Sequence, residues 1–566
     1  MTDDEILIRG GDVIDGTGSP ARRADVRVRG DEIVEVGPDL SADGATEIDA
    51  AGALVTPGFI DTHCHTDPQV FWDPYVDPDL LHGVTTMLMG NCSLSLYPVT
   101  DATRSDVSDL FAYIEDVPRH LFDDAVPWTW SDYAGYRDAV NETGTGINLA
   151  GLVGHSMLRL IVMGDDAWTR TATAGESAAM AAMLRDAMDD GAWGLSTSFL
   201  DVDQQGRPVP SRAADGDEFD ALFDVLQSSG RGVVEVVPDL LGPTAVDTLR
   251  DLGHRCGKRG IPITWTGFVH VDSAPHRTQR WLDLASELAA EGATMYPQLS
   301  PRTVDMRLNW DSSMMFMSMP DGWHRVVAAH GHDMRALLES PEWRAAARDE
   351  WDRTQLAMFP IRRLEYVRIV EVVGAENERW LGRTLAEVVD ERGGHPSDVL
   401  ADFVLENDCR PGLVAAGISN ADVDGVARTL TDPRVLISSS DAGAHAQMMC
   451  ASGDTTLLLT RHVRDRHDLT VEDAVHQLTG RQADVFGFDR RGVVAPGNVA
   501  DLNVFALDEL TYGGDEFVHD LPEGGARLRR PAGNYRTTLV SGTVVQEDGE
   551  RTGALPGRVI SSRPRR

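Results

Sequence analysis

Leu54-Val55-Thr56-Pro57-Gly58-Phe59-Ile60-Asp61-Thr62-His63-Cys64-His65-Thr66-Asp67 carries an apolar run past a Pro-Gly pair and ends it in two histidines one residue apart. Side chains two apart on an extended strand point to the same side. His63 and His65 are therefore expected to aim at one point, as two imidazoles must when they share a metal ion. A bare His-x-His says little. This one gains weight because a strand carries it to its C-terminal end and other candidate ligands follow downstream.

Beyond this strand, short apolar runs alternate with helical stretches, the pattern of βα units around a parallel sheet. Runs at 85–90, 147–153, 193–196, 233–237, 262–266, 293–296 and 435–438 join the histidine strand to approach the eight of an α/β, (β/α)8 TIM-like barrel over residues 58–489. Helices are expected at 176–188 and 286–291. The first 57 residues read as short strands with glycine turns, and Leu502, Val504, Phe505 and the run 538–545 repeat that pattern late in the chain. The two pieces, 1–57 and 490–560, are expected to build one β-sandwich. Residues 305–400 are helical in pattern, rich in Trp and Met, and too long for a simple connection. They are expected to form an insertion near the mouth of the site. The tail 563–566 is expected to be disordered.

The chain has 566 residues, 42% hydrophobic, enough for a large barrel and an appendage. Its net charge of −39 argues against nucleic acid, which needs a basic patch. No apolar run approaches the ~20 residues that span a membrane, and the acidic start lacks the features of a signal peptide. The five cysteines are scattered and odd in number, unlike a disulfide framework. A cytoplasmic location is expected; oligomeric state is not legible.

In such barrels reactive residues gather at the C-terminal ends of strands. Cys92 closes the second strand. A lone cysteine reads as a small buried hydrophobe, but beside two histidines it also reads as a zinc ligand. Asp441 follows the last strand, placed either to bind a metal and take a proton from water or to cap a helix. His155, at another strand end, reads equally as a functional or a structural histidine. His445 lies four residues past Asp441.

The segments TPGFIDTHCHTD, GVTTMLMGNCSLSLYPV, GLVGHSMLR, GAWGLSTSF, SSSDAGAHA and GNVADLNVF resemble the amidohydrolase superfamily, in its D-aminoacylase (N-acyl-D-amino-acid deacylase) branch. The likeness covers nearly the whole chain, most strongly 50–200 and 430–510. It implies a metal-bearing barrel with a β-sandwich drawn from both termini. It also implies that His63, His65, Cys92 and Asp441 hold or serve the metal. Many superfamily members bridge two metals with a carboxylated lysine. Lys258 is the only lysine here and precedes a strand, so Cys92 is the natural substitute and one zinc ion is expected rather than two.

The chain also departs from that branch. Deacylases of this type carry a histidine at the ends of the fifth and sixth strands, and 232–238 and 261–267 contain none. Glu235 is a possible carboxylate replacement, and His270 lies three residues past Gly267. The lysine that helps hold a substrate carboxylate beyond the sixth strand is absent as well. Arg212 reads as a candidate carboxylate fork or as a surface arginine. Together, His155, Arg212, Glu235 and His445 are the candidate substrate-binding residues. The expected activity is metal-dependent hydrolysis of an amide C–N bond in a small acylated substrate, with Asp441 as base. Two alternatives stay open: a lactone or cyclic-imide hydrolase on the same fold, and a catalytically silent binding protein.

Overall fold

Eight strands follow one another around a barrel in chain order: Phe59–Asp61, Val84–Met89, Asn148–Gly151, Gly194–Ser198, Val233–Val237, Ile263–Trp265, Met295–Leu299 and Leu436–Ile437. The computed structural model describes residues 5–240, 244–272, 274–310, 321–329, 331–353, 364–438 and 440–564. Neighbouring strands pair in parallel, the short Val153–Gly154 carrying the third strand's pairing to the fourth. The first and eighth strands close the ring just past their ends. There the His65 N–H donates to the Ala442 carbonyl at 2.7 Å, and the Asp441 N–H to the His63 carbonyl at 3.1 Å.

The strands are buried along their length, as a parallel sheet covered on both faces requires. Valine-rich segments such as Val233–Val237 suit that setting. The helix expected at 176–188 spans Ala174–Asp189, started by a reciprocal cap between Thr173 and Glu176. The one expected at 286–291 begins much earlier, at Pro275, and runs to Ala290. Proline fits the first helical turn, where its missing N–H costs nothing.

Strands from both ends of the chain join one nine-stranded sheet. Leu54–Pro57 pairs with Leu502–Phe505, and the latter with Thr537–Val540. Val26, Val28, Ile33, Val55, Leu502, Val504 and Leu539 form its buried core. One part of 490–560 lies outside this sheet. Glu516–Val518 and Arg527–Arg529 form a separate hairpin. The Leu528 N–H donates to the Ala446 carbonyl at 2.7 Å, docking that hairpin beside the loop after the eighth strand.

The long insertion is not purely helical. Helices Asp321–Ala329, Gly331–Glu339, Pro341–Arg353, Leu385–Arg392 and Pro396–Glu406 accompany a three-stranded antiparallel sheet of Val304–Arg307, Val367–Glu371 and Gly412–Ser419. Its Trp310, Trp323, Trp343, Trp351 and Trp380 are buried in a core of their own. These indoles stabilise the insertion and present no surface to a substrate. The methionines at 314, 315, 317 and 319 lie outside the described residues, as does the end of the C-terminal tail. Among the described residues no helix is long and apolar enough to cross a membrane.

Candidate metal centre

His63 and His65 lie just past the first strand and are almost fully buried, 0% and 2% exposed. The two backbone bonds that close the barrel hold this segment against Asp441 and Ala442. Gly443 makes that approach possible. Its φ is +83°, and a Cβ there would lie 2.8 Å from the His65 carbonyl carbon. Asp61, two residues ahead of His63, accepts from the His63 N–H at 3.2 Å and from the Ser440 hydroxyl.

At the end of the second strand the chain turns sharply through left-handed conformations at Gly90 (φ +78°), Cys92 (φ +54°) and Ser93 (φ +69°). A Cβ on Gly90 would lie 2.3 Å from the Leu152 carbonyl oxygen, so only glycine fits. The turn is pinned from several sides. The Asn91 amide donates to the Cys64 and Leu88 carbonyls, the Ser93 N–H to the Ser196 hydroxyl, and the Cys92 N–H to Glu235 Oε2 at 2.9 Å.

These segments bring together the four residues singled out at the strand ends. Asp441 Oδ1 is 3.0 Å from His63 Nε2 and 3.8 Å from His65 Nε2, and Cys92 Sγ is 3.5 Å from His63 Nε2. Ligand atoms of His63, His65 and Cys92 all lie within 4.8 Å of one another. A tetrahedral ion with bonds of ~2.0–2.3 Å holds its donors roughly 3.3–3.8 Å apart, so this donor set fits a divalent cation.

The electrostatics favour a cation as well. Burial pushes the Cys92 thiol well up, and Glu235, Glu115, Asp201 and Asp441 add to it. Burial pushes Glu235 up to about 7 and Asp201 to about 6, and it carries Glu115 well above the carboxylate range. His65 is driven down to about 3 by burial and by the charge of His63. Burial opposes ionisation of Asp441, but its bond to His63 and the charges of His63, His445 and His65 together outweigh this and hold the carboxyl well below its usual range. A divalent ion at the convergence turns this accumulation of penalised acids into attraction.

The other candidates fall into different places. Glu235 takes part, but as a buried neighbour: Oε1 stands 3.8 Å from His63 Nδ1 while Oε2 accepts from Cys92. His445 shares the loop of Asp441, whose charge acts on it. His155 is corrected from binder to structural residue. It is fully buried, with Nε2 2.6 Å from Glu218 Oε1 and Nδ1 3.1 Å from the Thr197 hydroxyl, so neither nitrogen is left for a substrate. Arg212 donates to the Leu200 carbonyl at 2.8 Å, bracing the loop after the fourth strand. His270 sits against Asp422 at 3.4 Å, not at the histidine pair.

One residue that sequence reasoning missed is Glu115, which caps the end of helix Arg104–Ile114 and places Oε1 3.2 Å from His65 Nδ1. Its signal was faint: a glutamate at a helix C-terminus opposes the helix dipole and so invites a reason for its presence.

Comparison with known proteins agrees with this architecture. An amidohydrolase family model matches residues 46–546. An uncharacterised protein of Mycobacterium tuberculosis is 30% identical, over 96% of this chain and 92% of its own. The D-aminoacylase of Alcaligenes xylosoxydans xylosoxydans is 28% identical, over 98% of this chain and 97% of its own. A solved D-aminoacylase, described as having a binuclear metal centre with one-metal activation and second-metal attenuation, superposes with a TM-score of 0.68 at 28% identity, over 98% of this chain and 99% of that one. With the match covering most of its length, the chain belongs to the amidohydrolase family.

Proposed function

We propose that this enzyme cleaves the amide bond of small N-acyl-D-amino acids, using one divalent cation held by His63, His65, Cys92 and Asp441. Membership of the family makes it a hydrolase of carbon–nitrogen bonds other than peptide bonds. The observation that carries the finer reading is the convergence of Asp441 Oδ1, both imidazole Nε2 atoms and the Cys92 thiol at the C-terminal mouth of the barrel. Two nitrogens, a thiolate and a carboxylate suit zinc. The likeness to D-aminoacylase supports the substrate class. Five free cysteines and no disulfide support a reducing, cytoplasmic setting.

When bound, such a cation polarises a carbonyl and lowers the pKa of water from ~15.7 toward ~7. The chain's residues do the rest. Asp441 is 24% exposed while both histidines are sealed, so with the half-buried Cys92 it is open to a substrate, and of these two it is the carboxylate. Its carboxylate accepts the proton of the attacking water and returns it to the leaving nitrogen.

Metal analysis paired with a panel of N-acyl-D- and N-acyl-L-amino acids tests this. The expected result is one equivalent of metal and release of free amine from N-acyl-D substrates. Turnover of lactones or esters without amine release, or a protein that holds no metal even after zinc is added, overturns it.

A further inference from the structure

The reading above rests on Nε2 of both histidines facing inward. A free imidazole carries its proton on either nitrogen, and only an unprotonated Nε2 binds a cation. Something must hold Nδ1–H on the far side of each ring.

Both Nδ1 atoms are buried and make no hydrogen bond, and each faces the Oε1 of a buried glutamate that makes none either. His65 Nδ1 stands 3.2 Å from Glu115 Oε1, and His63 Nδ1 stands 3.8 Å from Glu235 Oε1. The two glutamates come from different parts of the barrel. Glu115 ends a helix after the second strand, and Glu235 lies within the fifth. Each also grips a second arm of the site through another oxygen. The Glu115 carbonyl accepts from the Ala446 N–H at 3.1 Å, on the loop that carries Asp441. Glu235 Oε2 accepts from the Cys92 N–H in its left-handed turn.

We infer that Glu115 and Glu235 are positioning residues that fix the tautomer and orientation of His65 and His63, each through a carboxylate–imidazole pair behind the ring. Glu235 thereby takes the fifth-strand place as a support for the first ion's ligands, not as a ligand to a second ion. Carboxylates in this relation to a metal-bound histidine typically govern affinity by ~10–100-fold.

The test measures zinc affinity of the full-length protein by competition with a chromophoric chelator, together with ¹⁵N chemical shifts of the zinc-loaded histidines. Glu115→Ala and Glu235→Ala are each expected to weaken zinc binding by ~10–100-fold. Glu115→Gln keeps an acceptor oxygen, so it is expected to retain most of the affinity and the Nδ1–H signature of His65. It also serves as the probe where the alanine variant fails to fold. Parent-like zinc affinity in a folded Glu115→Ala, or an Nε2–H signature for His65 in the zinc-loaded parent or Gln variant, overturns the inference alone. A parent protein that takes up no zinc overturns the metal reading and this inference with it.

Discussion

Asp441 and His63 are joined twice. The Asp441 N–H donates to the His63 carbonyl at 3.1 Å, and Asp441 Oδ1 lies 3.0 Å from His63 Nε2. The backbone bond closes the barrel between its first and last strands, and the side-chain contact sits at the same seam. The seam that closes the barrel therefore also holds the site together: a register slip there would separate both pairs.

In the proposed mechanism Asp441 is the base. Asp441→Asn keeps an oxygen of similar reach but cannot accept a proton. Turnover is expected to fall by ~10²–10⁴-fold while much of the bound metal remains. Steady-state amine release measured beside metal content on the same sample checks it; parent-like rates would remove Asp441 from its role.

His63→Ala removes a ligand and also leaves Asp441 and Glu235 without their shared partner. Its zinc affinity is expected to drop by more than the ~10–100-fold typical of outer contacts, with activity lost in parallel. Added zinc is expected to restore activity only at concentrations far above those the parent needs. Full activity at stoichiometric zinc would show that His63 is not a ligand.

The barrel was legible because each strand announces itself as a short apolar run between turn residues, and His63, His65, Cys92 and Asp441 fall at strand ends where the fold collects its chemistry. His155 also falls at a strand end, and that position alone did not distinguish it. What decides its role is Glu218, sixty-three residues away in sequence and bonded to its ring. Glu115 left only a faint trace for the converse reason: it sits at a helix end, and only tertiary packing carries it behind His65. Which way the insertion's tryptophans face was not legible, because composition reports apolar surface without saying where it points. Their burial against one another is a property of the insertion's own sheet and helices.

Gly90→Ala tests how tightly the second-strand turn is built. The added Cβ meets the Leu152 carbonyl oxygen at 2.3 Å, at a φ of +78°. The left-handed conformation costs an alanine ~1–2 kcal/mol, and the clash adds ~1–3 kcal/mol. Denaturant unfolding is expected to show a loss in this combined range. Zinc affinity is expected to fall as well, because Cys92 lies two residues on. An unchanged unfolding midpoint would mean that the turn adapts freely.

Glu218 offers a pH test away from the metal. It is fully buried against His155 and Arg159. Burial opposes its ionisation, but the bonds and charges of these two partners outweigh that and hold its carboxyl below the usual range. A depressed folded-state pKa contributes stability that is fully present above the unfolded value of ~4.3 and is lost as pH falls through the folded value. Glu218→Gln leaves Arg159 buried without a counter-charge, which is expected to cost ~3–5 kcal/mol at neutral pH. The gap between parent and variant, measured by denaturant unfolding across a pH series, is expected to stay constant from pH 7 down to about 5 and to narrow in stronger acid. A gap that does not change with acid would show that the carboxylate charge of Glu218 is not what holds His155 and Arg159 in place.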